Sequence, residues 1–145
     1  MAVTIVVAKS VSDLSKLQLM FDNVFQTKPT HVPERGDLAT FADHRDTCVL
    51  LAVREDEIVG GLVAYELQLL SGTKEFYLYD IAVLPGYRKQ GIGTLLIAEL
   101  KNQARARGVS IIFVEAESKD TDAADFYQSL QGEHITVDHF NIAVD

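Results

Sequence analysis

The stretch Tyr79-Asp80-Ile81-Ala82-Val83-Leu84-Pro85-Gly86-Tyr87-Arg88-Lys89-Gln90-Gly91-Ile92-Gly93-Thr94 holds the residue types and spacing that can do chemistry. It reads as a strand that ends at Leu84-Pro85-Gly86, a cationic loop, and two glycines opening a long helix. Gly91 and Gly93 let an anion approach the backbone N–H groups at the helix start, where the helix dipole is positive. Arg88 and Lys89 can add charge-assisted contacts to a phosphate. No Gly-Lys-Ser/Thr is present, which excludes a Walker loop. Leu96 stands where a dinucleotide fingerprint counted from Gly91 would need its third glycine. Plain turn chemistry is the alternative reading of two glycines at a helix start.

The charge distribution adds a second clue. The 145-residue chain has a net charge of −8, which argues against a nucleic-acid partner and suits a cationic ligand. Residues 84–108 carry five cations against Glu99, whereas residues 114–145 carry eight acids against Lys119. These are either two solvated surfaces or an anion site beside a cation site. Glu117, Asp120 and Asp122 could bind ammonium groups or simply cap a helix. Glu133, Asp138 and His139 are weaker candidates of the same kind. The single cysteine, Cys48, excludes a disulfide framework and a cysteine-rich zinc site. His31, His44 and His134 lack metal-ligand spacing, so no metal is expected.

The elements that must position these residues follow from periodicity and breakers. A strand is predicted over Val3 to Ala8. A helix capped by Ser10 or Ser12 follows, with Leu14, Leu17, Met20, Phe21, Val24 and Phe25 on its apolar face. Residues 26–36, with Pro29, Pro33 and a closing Gly36, read as a loop, and a short helix is expected around Leu38, Phe41 and Ala42. Strands at 48–53 and 58–67 form a hairpin, in which Gly60-Gly61 signals a bulge or a close backbone approach. A strand over 75–83 leads into a helix over 91–107 that stops at Gly108. The apolar run 111–114 reads as an interior strand. A short helix capped by Asp120, Thr121 or, foremost, Asp122 follows, and a strand over 136–143 closes the chain. The order β-α-α-β-β-β-α-β-α-β makes residues 1–145 a single mixed α/β (α+β) domain. No apolar run nears the roughly 20 residues that span a bilayer, and the N-terminus lacks a signal-peptide pattern, so a cytoplasmic protein is expected.

Arg88-x-x-Gly91-x-Gly93, after the Ala82-Val83-x-Pro85 strand end and before an amphipathic helix, resembles the pyrophosphate loop of the GNAT acetyltransferases. The element order, the later Phe126-Tyr127 with Leu130, and a final strand extend the resemblance over the chain. Residues 59–67, 78–83, 113–117 and 137–140 are similar to aminoglycoside 3-N-acetyltransferases of the gentamicin-resistance type. Gln131-Gly132 and the loop at 26–37 depart from that pattern.

The resemblance implies a GNAT fold, with a mostly antiparallel sheet of about six to seven strands flanked by about four helices. It implies acetyl-CoA as co-substrate. The pantetheine arm would lie against Ile81, Ala82 and Val83, and the pyrophosphate against Arg88, Lys89, Gln90, Gly91, Ile92, Gly93 and Thr94. It further implies Asp80 as general base or amine-orienting group and Tyr127 as the acid for the departing thiolate. Their alternatives are a strand surface carboxylate and a core tyrosine. Tyr79, Glu117, Asp120 and Asp138 would bind a cationic aminoglycoside, whose acetylation confers antibiotic resistance. A homodimer is also implied. Rival readings are another amine (a polyamine, an amino acid or a peptide N-terminus) and a non-catalytic acyl-CoA-binding module.

Overall fold

The computed structural model describes residues 2–26 and 33–145. The chain packs as two compact units, Met1–Glu115 and Ala116–Asp145. The first runs β1 (Thr4–Val7), α1 (Val11–Phe25), α2 (Arg35–Ala42), β2 (Thr47–Arg54), β3 (Glu57–Gln68), β4 (Lys74–Val83), a 3-10 turn (Pro85–Tyr87), α3 (Ile92–Arg107) and β5 (Val109–Val114). The second holds α4 (Thr121–Ser129). The five strands form one sheet in the order β1-β2-β3-β4-β5, antiparallel except for the parallel pair β4–β5. Among the described residues no helix is long and apolar enough to cross a membrane.

Strand alternation divides the core between two helical layers. Leu14, Leu17, Met20 and Phe21 of α1 pack with Val49, Leu51, Val63 and Ala82, and Leu38 and Phe41 of α2 join them. The α3 helix covers β2 to β5 on the other face through Ile92, Leu96, Ile97, Leu100 and Ala104. Gly60 and Gly61 serve these two faces in turn. A Cβ on Gly60 would meet Ile92 Cγ2 at 3.4 Å and the Ala82 carbonyl at 3.1 Å. One on Gly61 would sit 2.5 Å from Leu17 Cδ1 and 2.9 Å from the Leu50 carbonyl. The diglycine is therefore a close-approach site, one residue per helix layer.

Local signals explain the helix ends. Ser10 caps α1 by accepting the Asp13 N–H at 3.0 Å, and Gly108 ends α3 at φ 72°. Four expectations are corrected. Residues 27–32 of the predicted 26–36 loop, His31 included, lie outside the described residues, and Gly36 belongs to the first turn of α2, where Asp37 Oδ2 accepts the Glu34 N–H at 2.9 Å. Asp120 rather than Asp122 caps α4, accepting the Ala123 N–H at 3.1 Å. The interior strand of 111–114 extends to Val109–Val114 but ends the sheet, with β4 as its one strand neighbour. The closing strand at 136–143 does not form; the described sheet has five strands, and residues 133–145 have no ladder. An alternating pattern specifies a face but needs a partner edge before it becomes a strand.

Gly61→Ala should destabilise the protein by about 1–3 kcal/mol, because the added methyl displaces Leu17 and meets a backbone oxygen. Urea denaturation measures this, and unchanged stability would show that α1 can shift outward freely.

Candidate active site

The position of Asp80 is set by one extra residue in β4. Val63 pairs with Asp80 but Ala64 pairs with Leu78, so Tyr79 has no partner on β3 and forms a bulge. Phe76 and Leu78 are buried on the α3 side. Tyr77 lies opposite Tyr65, and Ala82 opposite Gly61, on the α1 side. Strict alternation from Tyr77 would send Asp80 toward α3. The bulge instead brings Tyr77, Tyr79 and Asp80 onto the α1 side together.

Asp80 thus sits half-buried in an aromatic row. Phe41 meets Tyr65 edge-on at 6.4 Å, Tyr65 meets Tyr79 edge-on at 5.8 Å, Tyr79 meets Tyr77 at 5.4 Å, and Tyr77 stacks on Phe113 at 4.7 Å. Burial lifts the Asp80 carboxyl above its ordinary range. Burial also raises Tyr65, and the Asp80 and Tyr79 charges push it further. Tyr77 is raised by burial, then by Glu115, which bonds its hydroxyl, and by Tyr79 and Asp80. A carboxyl with an elevated pKa next to exposed aromatic surface can take a proton from, or orient, a bound amine. Cys48, 1% exposed, has its thiol pushed up to about 11 by burial and is no nucleophile near neutral pH.

Beyond Leu78 no strand among the described residues pairs with the outer edge of β4. Pairing with β5 stops at Leu78 opposite Val114, while β4 continues to Val83. The Leu84 N–H bonds the Val59 carbonyl at 2.9 Å, so the antiparallel alternation assigns Ala82 and Asp80 to β3. The backbone groups of Ile81 and Val83 therefore turn to the side that β5 has left, where the Val83 carbonyl already accepts from Arg88 Nε at 3.0 Å. The N–H and C=O of Ile81 and the N–H of Val83 offer an extended ligand part of the pattern of a strand.

The loop after β4 is held from several sides. Tyr87 N–H bonds the Leu84 carbonyl at 2.9 Å, and Arg54 lies over the Tyr87 ring at 5.6 Å. Ile92, 2% exposed, pins the start of α3. Lys89 and Gly91 adopt left-handed φ of 60° and 82°. No side chain caps α3, and its first internal bond is from Leu95 to Gly91 at 3.0 Å. The N–H groups of Gly91, Ile92, Gly93 and Thr94 therefore lack helix acceptors, the arrangement that receives phosphate oxygens. Lys89 and Gln90 are exposed beside them. Arg88 turns back, and its Nε donates to the Val83 carbonyl at 3.0 Å. Arg105 and Arg107 are at the other end of the sixteen-residue helix, about 24 Å away, so the positive charge of 84–108 is divided.

Tyr127, Glu117, Asp120 and Asp138 belong to the second unit. Tyr127 is raised by burial and then by Asp120. Its ring lies 5.3 Å from Phe126, and its carbonyl accepts the Leu130 and Gly132 N–H groups. Gln131, which the family resemblance marked as a departure, holds a left-handed φ of 62° that glycine adopts more easily. Asp120 is committed to its helix cap, Glu117 lies 3.9 Å from Lys119, and Asp138 is exposed. The first unit thus brings Tyr79, Asp80, the Ile81–Val83 edge and the amides of 88–94 onto one strand and its continuation. Phe41, Tyr65, Tyr77, Phe113 and Glu115 join them without having been singled out as site residues in the sequence. The only signal was aromatic residues recurring at 65, 77 and 79, which needed the strand register to become a row.

The raised Asp80 carboxyl has a stability consequence. Between the unfolded and the higher folded pKa the folded state holds more protons, so stability falls as pH rises through that interval. Asp80→Asn should therefore be more stable than the parent at pH 7, and the gain should shrink on acidification through the carboxylate range. Parallel melting-temperature profiles for the two proteins would contradict a buried, charged Asp80.

The Acetyltransferase (GNAT) family profile matches residues 14–132. A solved aminoglycoside acetyltransferase from an uncultured soil metagenomic sample, HMB0005, is 32% identical with a TM-score of 0.94, covering 100% of both chains. A second from such a sample, meta-AAC0020 in complex with sisomicin, is 28% identical at a TM-score of 0.94, covering 99% of this chain and 97% of that one. The [ribosomal protein bS18]-alanine N-acetyltransferase of Haemophilus ducreyi is 35% identical over 63 residues, so the match spans 43% of each chain. With a glycine-opened helix, a β4 edge that β5 leaves unpaired and a profile match from α1 through α4, this chain belongs to the GNAT acetyltransferase family.

Proposed function

We propose that the protein is an acetyl-CoA-dependent N-acetyltransferase whose acceptor is an amine of a cationic aminoglycoside, at the 3-N position by resemblance. The observation that carries this reading is the continuity along β4, where Asp80, the backbone edge of Ile81 and Val83 that β5 does not pair, and the uncapped start of α3 follow one another. Acetyl-CoA would supply an acyl group already activated as a thioester. The strand edge, with Ala82 between its two bonding residues, would hold the pantetheine arm. The amides from Arg88 to Thr94, with Lys89 and Gln90 beside them, would hold the pyrophosphate. Asp80 would orient the amine and take its proton, and Tyr127 would protonate the departing thiolate. Transfer would be direct, in a ternary complex.

Tyr79, 62% exposed in the aromatic row, gives the acceptor a ring face against which an ammonium group can settle. Glu117, Asp120 and Asp138 would meet further ammonium groups. Acetylation would remove one positive charge from the antibiotic and so weaken its hold on RNA. The two soil aminoglycoside acetyltransferases, aligned over the full chain, support this acceptor class. The 63-residue likeness to ribosomal-protein-alanine acetyltransferases favours a second reading, a peptide N-terminus as acceptor. A cytoplasmic homodimer completes the proposal.

Thiol release from acetyl-CoA, with sisomicin, gentamicin, a polyamine or an alanine-terminated peptide as acceptor, tests these readings. Aminoglycoside-dependent release is expected, and release with the peptide alone would transfer the assignment to the second reading. Acetyl-CoA binding without turnover on any amine would point to a non-catalytic module.

Asp80→Asn should lower kcat by about 10²–10⁴-fold with little change in acetyl-CoA affinity. Tyr127→Phe should cost a similar factor if its hydroxyl delivers the proton. Wild-type turnover in either variant would remove that residue from the chemistry.

A further inference from the structure

The first unit has a cavity at the opposite end of α3 from its uncapped start, where the end of β1, the turn after α2, the start of β2 and Arg107 meet. Its volume is about 250 Å³. Buried Leu14 and Val49 and half-buried Val7 and Phe41 give it an apolar lining. Lys9, His44, Arg45 and Arg107 line it as well, and no Asp or Glu does. In a chain with 21 acids against 13 Lys and Arg, that is a local reversal of charge. Asp43 and Asp46 belong to the same turn but do not line the cavity.

The cations differ in how they are held. Arg107 Nη1 donates to the Thr47 carbonyl at 2.9 Å and lies 3.6 Å from Glu66 Oε1, which fixes its guanidinium at the cavity. Lys74 shares Glu66 at 3.9 Å, so the three groups together keep one positive charge. The 42–46 turn is fixed at both ends: the His44 N–H bonds the Phe41 carbonyl at 3.0 Å, and Thr47 Oγ1 donates to the His44 carbonyl at 2.9 Å. Lys9 and Arg45 are exposed and form no ion pair among the described residues. Like charges gathered around one concavity repel one another and attract an anion.

We propose that this cavity binds a small organic anion, a carboxylate or phosphate monoester carried on an apolar body. Lys9 and Arg45 would give the anionic group charge-assisted hydrogen bonds, and the body would rest against Val7, Leu14, Phe41 and Val49. The volume lies below the roughly 300–1,000 Å³ of drug-sized sites, so it suits a body of about one ring rather than a nucleotide. Phe41 also meets Tyr65 edge-on at 6.4 Å, so an occupant would touch the first ring of the row that holds Asp80. Binding here is independent of acetyl transfer and needs no turnover to be measured.

Methyl NMR of the protein titrated with benzoate and with phenyl phosphate tests this. Shifts are expected at Val7, Leu14 and Val49, with a dissociation constant of about 1 mM or below, and whichever anion binds identifies the anionic group. Benzyl alcohol, which lacks the charge, should bind at least about tenfold more weakly. Inorganic phosphate, which lacks the apolar body, should bind more weakly than phenyl phosphate. Lys9→Gln with Arg45→Gln should weaken anion binding at least about tenfold while the spectrum of the free protein shows the fold retained. No shift at these methyls with either anion would overturn the proposal. So would equal binding of benzyl alcohol, phosphate as tight as phenyl phosphate, or undiminished binding by the double variant. Shifts confined to Ile92 and Leu95 would overturn it too, since they place the anion at the start of α3.

Discussion

The pairing of β3 with β4 carries one residue too many, and the face that Asp80 takes depends on where it falls. Each residue added to a strand reverses the face of everything beyond it. Placed at Tyr79, it leaves Phe76 and Leu78 in the α3-side core and turns Asp80 away from that core. The same irregularity coincides with the end of β4–β5 pairing at Leu78 and Val114. A bulge bends its strand and disrupts the ladder locally, so one feature accounts both for the carboxylate and for the edge that β5 leaves unpaired beside it.

Opposite ends of the sheet are then stabilised differently. Around Glu66, Lys74 lies at 3.9 Å and Arg107 at 3.6 Å, while Arg107 also donates to the Thr47 carbonyl at 2.9 Å and lies over Phe76 at 5.6 Å. These contacts tie the C-terminus of α3 to β2, β3 and β4, and the cations complement the negative end of its dipole. Among the described residues no side chain caps its N-terminus, and Arg88, in the loop before it, is turned to the Val83 carbonyl. One helix therefore provides a fixed, satisfied end and a free, positive end.

Elements with strong local signals were legible in the sequence. The Ser10 cap, the 48–67 hairpin and the Gly108 stop were all found within a residue or two, because each is a property of adjacent residues. Gly60-Gly61 read as a bulge or a close approach, and Leu17 and Ile92, distant in sequence, are the side chains that make it the latter. The Tyr79 bulge was not legible, since it exists only relative to β3. The aromatic row was missed for the same reason, because Phe41, Tyr65, Tyr77 and Phe113 meet only through strand register and helix packing. The interior strand expected at 111–114 and the closing strand expected at 136–143 are the readings that the structure corrects, because an apolar pattern cannot name its partner. Both were expected inside one sheet, and in the single chain neither is flanked on two sides.

The division between acyl donor and acceptor follows the same line. A thioester arm and a pyrophosphate need backbone amides and a strand edge, which almost any side chains can frame, so the features shared with the family need not specify an acceptor. Acceptor choice must come from side chains, and on the α1 face of β4 these are tyrosines around one carboxylate. One carboxylate is enough for a lone amine such as a peptide N-terminus. An aminoglycoside brings several ammonium groups, each losing water on binding and each needing an acid or a ring face of its own. Glu115, which bonds the Tyr77 hydroxyl, stands beside the same aromatic row. A second carboxylate beside that row supports the proposed polycationic acceptor over a lone amine.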